Sequence, residues 1–173
     1  MAETRTSLIT LGLCEIQVGE ASAQGTMPVT LNKIGKTYKD TCKIAQDAAD
    51  VTEHYEEGIA APEVRKKARK IPRLTFSIMD ANVDDLVAYV GGEKINETNW
   101  GYNGNEVVAN KAIFVKTEQG LDFEIPNGDI EAVINADMSA KGIFLVDFTV
   151  TPMAVKAGKA FRGIPKQTTQ TNG

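Results

Sequence analysis

One histidine, two cysteines and one tryptophan in 173 residues leave little from which to build a reactive centre. Aromatic residues make up 6% of the chain, too few for a stacking platform along single-stranded nucleic acid or sugars. No apolar run approaches the roughly 18 residues of a membrane-spanning helix. The apolar stretch over 8–14 is broken by Thr10, follows Glu3 and Arg5, and ends without a small-residue cleavage site. It is therefore not read as a signal peptide, and Leu13 is too large for the position before the cysteine of a lipoprotein box. An excess of positive charge is missing as well: 19 Lys and Arg stand against 23 Asp and Glu, a net charge of -4. A pI near 5.1 gives no global basic footprint for nucleic acid. Cys14 and Cys42 make neither a disulfide framework nor a metal knuckle and read as two buried thiols of a reducing compartment. What remains, 42% hydrophobic and 24% charged residues, predicts a single soluble globular domain over 1–173, without cofactor or metal.

Alternation at period two, not the 3.6-residue period of a helix, runs through most of the chain. Residues 8–18 are strand-like and 19–28 read as a loop. In 74–79, Leu74, Phe76 and Ile78 share one face. Further strands are expected over 112–117, 121–125, 130–136 and 143–152. They are bounded by Glu118-Gln119-Gly120, Pro126-Asn127-Gly128 and Ser139-Ala140-Lys141-Gly142, each with the chemistry of a turn. The Gly-, Pro-, Thr- and Gln-rich tail over 162–173 is expected to be mobile. One helix interrupts the series. Asp80 or Asn82 can cap it, Asp84 and Asp85 suit its positive end, and Gly91-Gly92 stops it. Val83, Leu86, Val87 and Val90 form its i, i+3, i+4, i+7 stripe. Strands, one short helix, then strands predict a mainly β fold: an antiparallel β-sandwich or barrel with one short flanking α-helix.

Residues 44–55 admit two readings. Ile44, Ala48, Val51 and Tyr55 sit at helical spacing, and the local alanines favour a helix. The charges favour a hairpin. Five acids (Asp47, Asp50, Glu53, Glu56, Glu57) and no base occupy 47–57, whereas 63–73 holds six bases (Arg65, Lys66, Lys67, Arg69, Lys70, Arg73) and one acid. Folding at 58–62 sets Glu53 opposite Lys67, Asp50 opposite Lys70 and Asp47 opposite Arg73. Cross-strand pairs of this kind are worth about 0.2–1 kcal/mol each, enough to select a register. The charged hairpin over about 41–79 reads as an extended arm, weakly anchored to the body, whose segregated charge suits contact with a neighbouring subunit.

No residue cluster points to catalysis or ligand binding over a simpler structural role. His54 alone would have to carry any triad or imidazole metal site, and a solvent-facing strand histidine accounts for it. Asp80-Ala81-Asn82-Val83-Asp84 imitates the start of a calcium loop, but Asp85 stands where the turn glycine belongs and Gly91 where the bidentate glutamate belongs. Gly91-Gly92 follows a helix and so cradles no phosphate. Asn96-Glu97-Thr98 matches a glycosylation sequon by chance. Trp100 beside Tyr102 could be a ligand platform, though partial burial against the sheet is the simpler expectation. No catalytic residue is assigned.

The run Lys70-Ile71-Pro72-Arg73-Leu74-Thr75-Phe76-Ser77-Ile78-Met79-Asp80, a short helix holding Leu86, and then Gly91-Gly92 resembles bacteriophage major tail tube proteins. In that family a strand ending in an acid leads into a short helix closed by a glycine pair. The preceding Thr52-Glu53-His54-Tyr55-Glu56-Glu57-Gly58 with Pro62, and the closing Ile125-Pro126-Asn127-Gly128-Asp129-Ile130 and Phe148-Thr149-Val150-Thr151-Pro152, are similar to its hairpin and last strands. The resemblance spans about 8–153. It implies a non-enzymatic virion component of phage or prophage: a β-sandwich whose copies close into rings, usually hexamers, that stack into the conduit for DNA ejection. It also implies tape-measure and terminator proteins as partners, DNA passing without sequence-specific binding, no membrane, and assembly in the host cytoplasm. A secretion-system tube component of the same architecture, or a ligand- or carbohydrate-binding β-sandwich, are the alternative functions.

Overall fold

The computed structural model describes residues 7–166. Within them the alternating segments become β1 (Leu11–Glu20), β2 (Asn32–Lys33), β3 (Lys43–Ala45), β4 (Asp50–His54), β5 (Val64–Ala68) and β6 (Arg73–Ile78). A single helical turn, α1 (Val83–Asp85), follows, then β7 (Glu93–Lys94), β8 (Trp100–Gly101), β9 (Ala109–Gln119), β10 (Leu121–Ala136), β11 (Phe144–Pro152) and β12 (Arg162–Pro165). Strands β2-β1-β9-β10-β11-β6-β3 lie side by side in that order, with β12 also on β10, and every pairing is antiparallel. The sheet does not close into a barrel; it folds over on itself as a β-sandwich.

The fold-over happens within β10. Pro126-Asn127-Gly128 is not the turn its composition suggests, and 121–125 and 130–136 are one strand of 16 residues. Before the proline, β10 pairs with β9 (Ile125↔Ile113) and with β12 (Leu121↔Pro165). Beyond it the edge that β12 held passes to β11, from Gly128↔Pro152 to Ala136↔Phe144. Against β9 the register slips between Ile125 and Gly128, a β-bulge. A proline has no N–H to give a ladder, so the extra residue of a bulge is where it is tolerated, and a bulge bends its strand. The carbonyls freed there are taken up by Ser22 N–H on Pro126 O (2.9 Å) and Met153 N–H on Asn127 O (2.8 Å). Gly128 is needed for close approach: a Cβ would lie 2.6 Å from Val150 Cγ1. The expected turn at Pro126-Asn127-Gly128 is therefore corrected to a bulge within one strand.

The second link between layers is the chain around Gly35. Ile34 N–H bonds to Ile16 O of β1, while Met79 N–H bonds to Lys36 O and Tyr38 N–H to Ser77 O beside β6. Gly35 (φ 151) makes that change of partner, and a Cβ there would meet Asp80 Oδ1 at 2.8 Å. Apolar faces of both layers meet between these corners. Ile16, Leu74, Phe76, Ile113, Val146, Phe148 and Val150 are almost fully buried. Phe76 stacks on Phe148 at 5.0 Å between ring centroids, an arrangement aromatic pairs favour.

Asn82 caps the helix in a capping box: its Oδ1 accepts Asp85 N–H and Asp85 Oδ2 accepts Asn82 N–H, both at 3.0 Å. Asp80 instead accepts Lys36 N–H (2.6 Å). After α1 the chain widens into a π-turn over Leu86–Val90, with Gly91 N–H reaching back five residues to Leu86 O (2.9 Å). That extra residue per turn rotates the apolar stripe. Leu86, Tyr89 and Val90 pack on the core, whereas Val83 and Val87 are only half-buried and stand outside it. Tyr89 makes an edge-on contact with Phe148 at 5.2 Å.

The tail expectation is corrected over its first residues. β12 is ordered on β10, with Arg162–Glu124 (2.9 Å) and Lys166–Asp122 (3.4 Å) ion pairs along it. Residues 167–173 lie outside the described residues.

Candidate functional site

The charged segment forms the hairpin, not the helix. Its register differs from the one read from charge. The offset set by Ile44↔Leu74 and Lys43↔Thr75 in β3 and β6 continues unchanged to Asp50↔Ala68 and His54↔Val64 in β4 and β5. Glu53 consequently faces Arg65 (2.7 Å), not Lys67, which stands opposite Val51. Ala45, not Asp47, faces Arg73. Asp50 still reaches Lys70, at 3.1 Å, as a diagonal neighbour. The physical reason is one of scale. Burying Leu74 completely is worth about 2 kcal/mol or more, and exposed ion pairs well under 1, so the core sets the register for the arm. A slip of two residues keeps every side chain on its original face, which is why one of the three expected pairs survives.

Between the two parts of this ladder the pairing lapses. Pro72 has no N–H to give, and Gln46 Nε2 donates to Lys70 O (2.6 Å) across the gap. Beyond the gap β4 and β5 are exposed along nearly their whole length. At the tip the Tyr55 hydroxyl donates to Glu53, and that bond, with Arg65 alongside, holds the Glu53 carboxyl below its ordinary range. His54 is exposed opposite Val64. Among the described residues Asp47, Glu56, Glu57, Glu63, Lys66, Lys67, Arg69 and Arg73 make no ion pair. The arm therefore has an acidic tip and a basic root.

The second feature is the layer made by the far half of β10 with β11, β6 and β3. Past Ile130↔Ala109, β10 has no partner on the side that β9 occupied, and β3 ends the sheet on the other side. Val133 and Ile134 on the open β10 edge are 52% and 40% exposed, unusual for a strand that ends a sheet in a monomer. The outward face is polar and follows from the register. Glu131 lies beside Thr149, Thr75 and Lys43; Asp129 lies beside Thr151. Asp147 accepts Ser77 Oγ–H (2.5 Å) and Asn135 Nδ2–H (2.9 Å). Acids thus sit toward the β10 edge (Asp129, Glu131, Asp147) and cations toward the β3 edge (Lys43, Arg73). Period-two patterning placed these residues on alternate faces of their strands; which strand lay beside which was not in it.

A cleft of about 830 Å³ opens between the start of β1 and the chain entering β3, lined by Leu13, Cys14, Lys36, Tyr38, Cys42 and Thr117 among others. Its two thiols differ. Cys14, at a bulge in β1, is exposed, contrary to the buried state expected for both. Cys42 is half-buried, and burial pushes its thiol up to about 11. A thiolate is the reactive form, so Cys42 holds roughly a hundredth of an ordinary cysteine's thiolate near pH 8. Iodoacetamide at that pH should modify Cys14 first and Cys42 at least about tenfold more slowly. Equal rates by mass spectrometry would contradict this burial.

Trp100 is half-buried against the core with its Nε1–H given to Gly91 O (2.8 Å), and it lines neither this cleft nor the shallow groove described below. Tyr102 stands exposed beside it, 6.1 Å away. Among the described residues no group of three or more His, Cys, Asp or Glu could hold a metal ion, and no helix is long and apolar enough to cross a membrane.

No protein-family model matches the chain, and no curated protein is significantly similar to it.

Proposed function

We propose that the protein is a structural subunit of a phage tail tube, closing into rings, in the usual case hexameric, that stack into a conduit for DNA. The observation that carries this reading is the four-strand layer with two open edges, one beside Glu131 and the exposed Val133 and Ile134, the other beside Lys43 and Arg73. The acidic, apolar-tipped edge of β10 in one copy complements the β3 edge of the next, beside Lys43 and Arg73. Such a contact joins two different surfaces, so it is heterologous, and it forms a closed ring if the rotation per copy closes. Ring closure would also cover these two edges, which are otherwise open to aggregation. In that ring the polar face lines the bore; Asp129, Glu131 and Asp147 repel phosphate there, and the acids of one copy meet Lys43 and Arg73 of the next across the seam. The arm projects from the layer in continuous register with β3 and β6, which suits it to reach a neighbour.

Purified protein at high concentration should show annular particles or tubes by electron microscopy. Val133→Lys places a charge on the open edge and should leave a folded, monomeric protein by circular dichroism and sedimentation. A wild-type chain that stays monomeric at every concentration would remove the reading. Tape-measure and terminator genes beside this one would mark a virion tail over a secretion-system tube.

A further inference from the structure

A shallow groove of about 500 Å³ lies at the root of the arm, between Arg69, Lys70, Ile71 and Pro72 on one side and Lys159 and Phe161 on the other. Its floor is apolar, with Ile71 36% exposed, and its rim is cationic. Lys70 is engaged by Asp50, but Arg69 and Lys159 have no ion-pair partner among the described residues. The arm's tip is the chemical inverse. Ile59 is 53% exposed at its centre, and Glu56, Glu57 and Glu63, on either side of it in the chain, have no ion-pair partner among the described residues.

We propose that the acidic tip of one copy docks in the cationic root groove of another, Ile59 on the Ile71–Phe161 floor and the glutamates against Arg69 and Lys159. The tip cannot serve its own groove. The paired strand from Val64 to Ala68 alone holds the two about 13 Å apart at 3.3 Å per residue, and folding back would break that ladder. Tip and groove are different surfaces, so the contact is head-to-tail and propagates from copy to copy. Its electrostatic part steers the encounter and weakens as salt is raised. The inference rests on the self-assembly proposed above and adds a second contact, separate from the β10 and β3 edges.

The test uses two full-length variants and their mixture. Glu56→Lys with Glu57→Lys makes the tip basic; Arg69→Glu with Lys159→Glu makes the groove acidic. All four positions are exposed, so both proteins should keep the wild-type circular dichroism spectrum. Each alone sets like charges against each other and should raise the concentration needed for assembly at least about tenfold, read by sedimentation and electron microscopy. Mixed in equal amounts, the basic tip meets the acidic groove and the acidic tip meets the basic groove, so assembly should return to near the wild-type concentration. Wild-type-like tubes from each variant alone, or a mixture that stays as impaired as its components, would overturn the docking and leave the ring edges standing. A wild-type protein that never assembles would overturn both.

Discussion

Leu86→Asp is expected to lower stability by about 4 kcal/mol or more, enough to unfold a domain of ordinary stability. Leu86 is 9% exposed and is the one fully core residue of the helical segment. Replacing it removes the packed side chain and sets a carboxylate in the apolar core cluster. The informative comparison is Val87→Asp. A straight α-helical stripe would make both positions comparable. In the π-turn Val87 stands outside the core, and its substitution should cost about 1 kcal/mol or less. Urea denaturation of the pair decides the matter; equal losses would mean that the widened turn does not persist in solution.

Phe148→Ala is expected to cost about 3–5 kcal/mol, the range for an aromatic side chain removed from a close-packed core. Phe148 touches both halves of the aromatic cluster, stacked on Phe76 and met edge-on by Tyr89. The cavity left between sheet and π-turn cannot collapse without moving one of them. Beyond lost area, a double-mutant cycle on Tyr89→Leu and Phe148→Leu should give a coupling of about 0.5–1.5 kcal/mol, the contribution of ring geometry itself. Burial raises the Tyr89 hydroxyl above its ordinary range, with Asp85 contributing, so the phenol stays neutral in this contact at neutral pH. Zero coupling would show that the π-turn holds Tyr89 near Phe148 without packing it there.

The sequence by itself determined the long core strands, because alternation is a local property: Leu74, Phe76 and Ile78 cannot face the same way in any other regular structure; the short strands β2, β7, β8 and β12 carry no such pattern. It likewise determined the position of the one helical segment, which Gly91-Gly92 ends, and favoured a hairpin over the charged residues through the segregation of Asp47–Glu57 from Glu63–Arg73; the structure chose Asn82 over Asp80 as the cap and the hairpin over a helix. Only the tertiary structure decided how these pieces align. Pro126-Asn127-Gly128 has turn chemistry, yet pairing with β9, β11 and β12 on either side holds it extended as the bulge at which the sandwich folds over. The hairpin register belongs to Ile44 and Leu74 in the body, whose burial outweighs the exposed charges of the arm. The grouping of Asp129, Glu131 and Asp147 toward one edge, with Lys43 and Arg73 toward the other, exists only once four strands from distant parts of the chain lie side by side. Local patterns fix which way a side chain points; which side chains become neighbours is set by long-range pairing, whose energy comes from a core that no single segment contains.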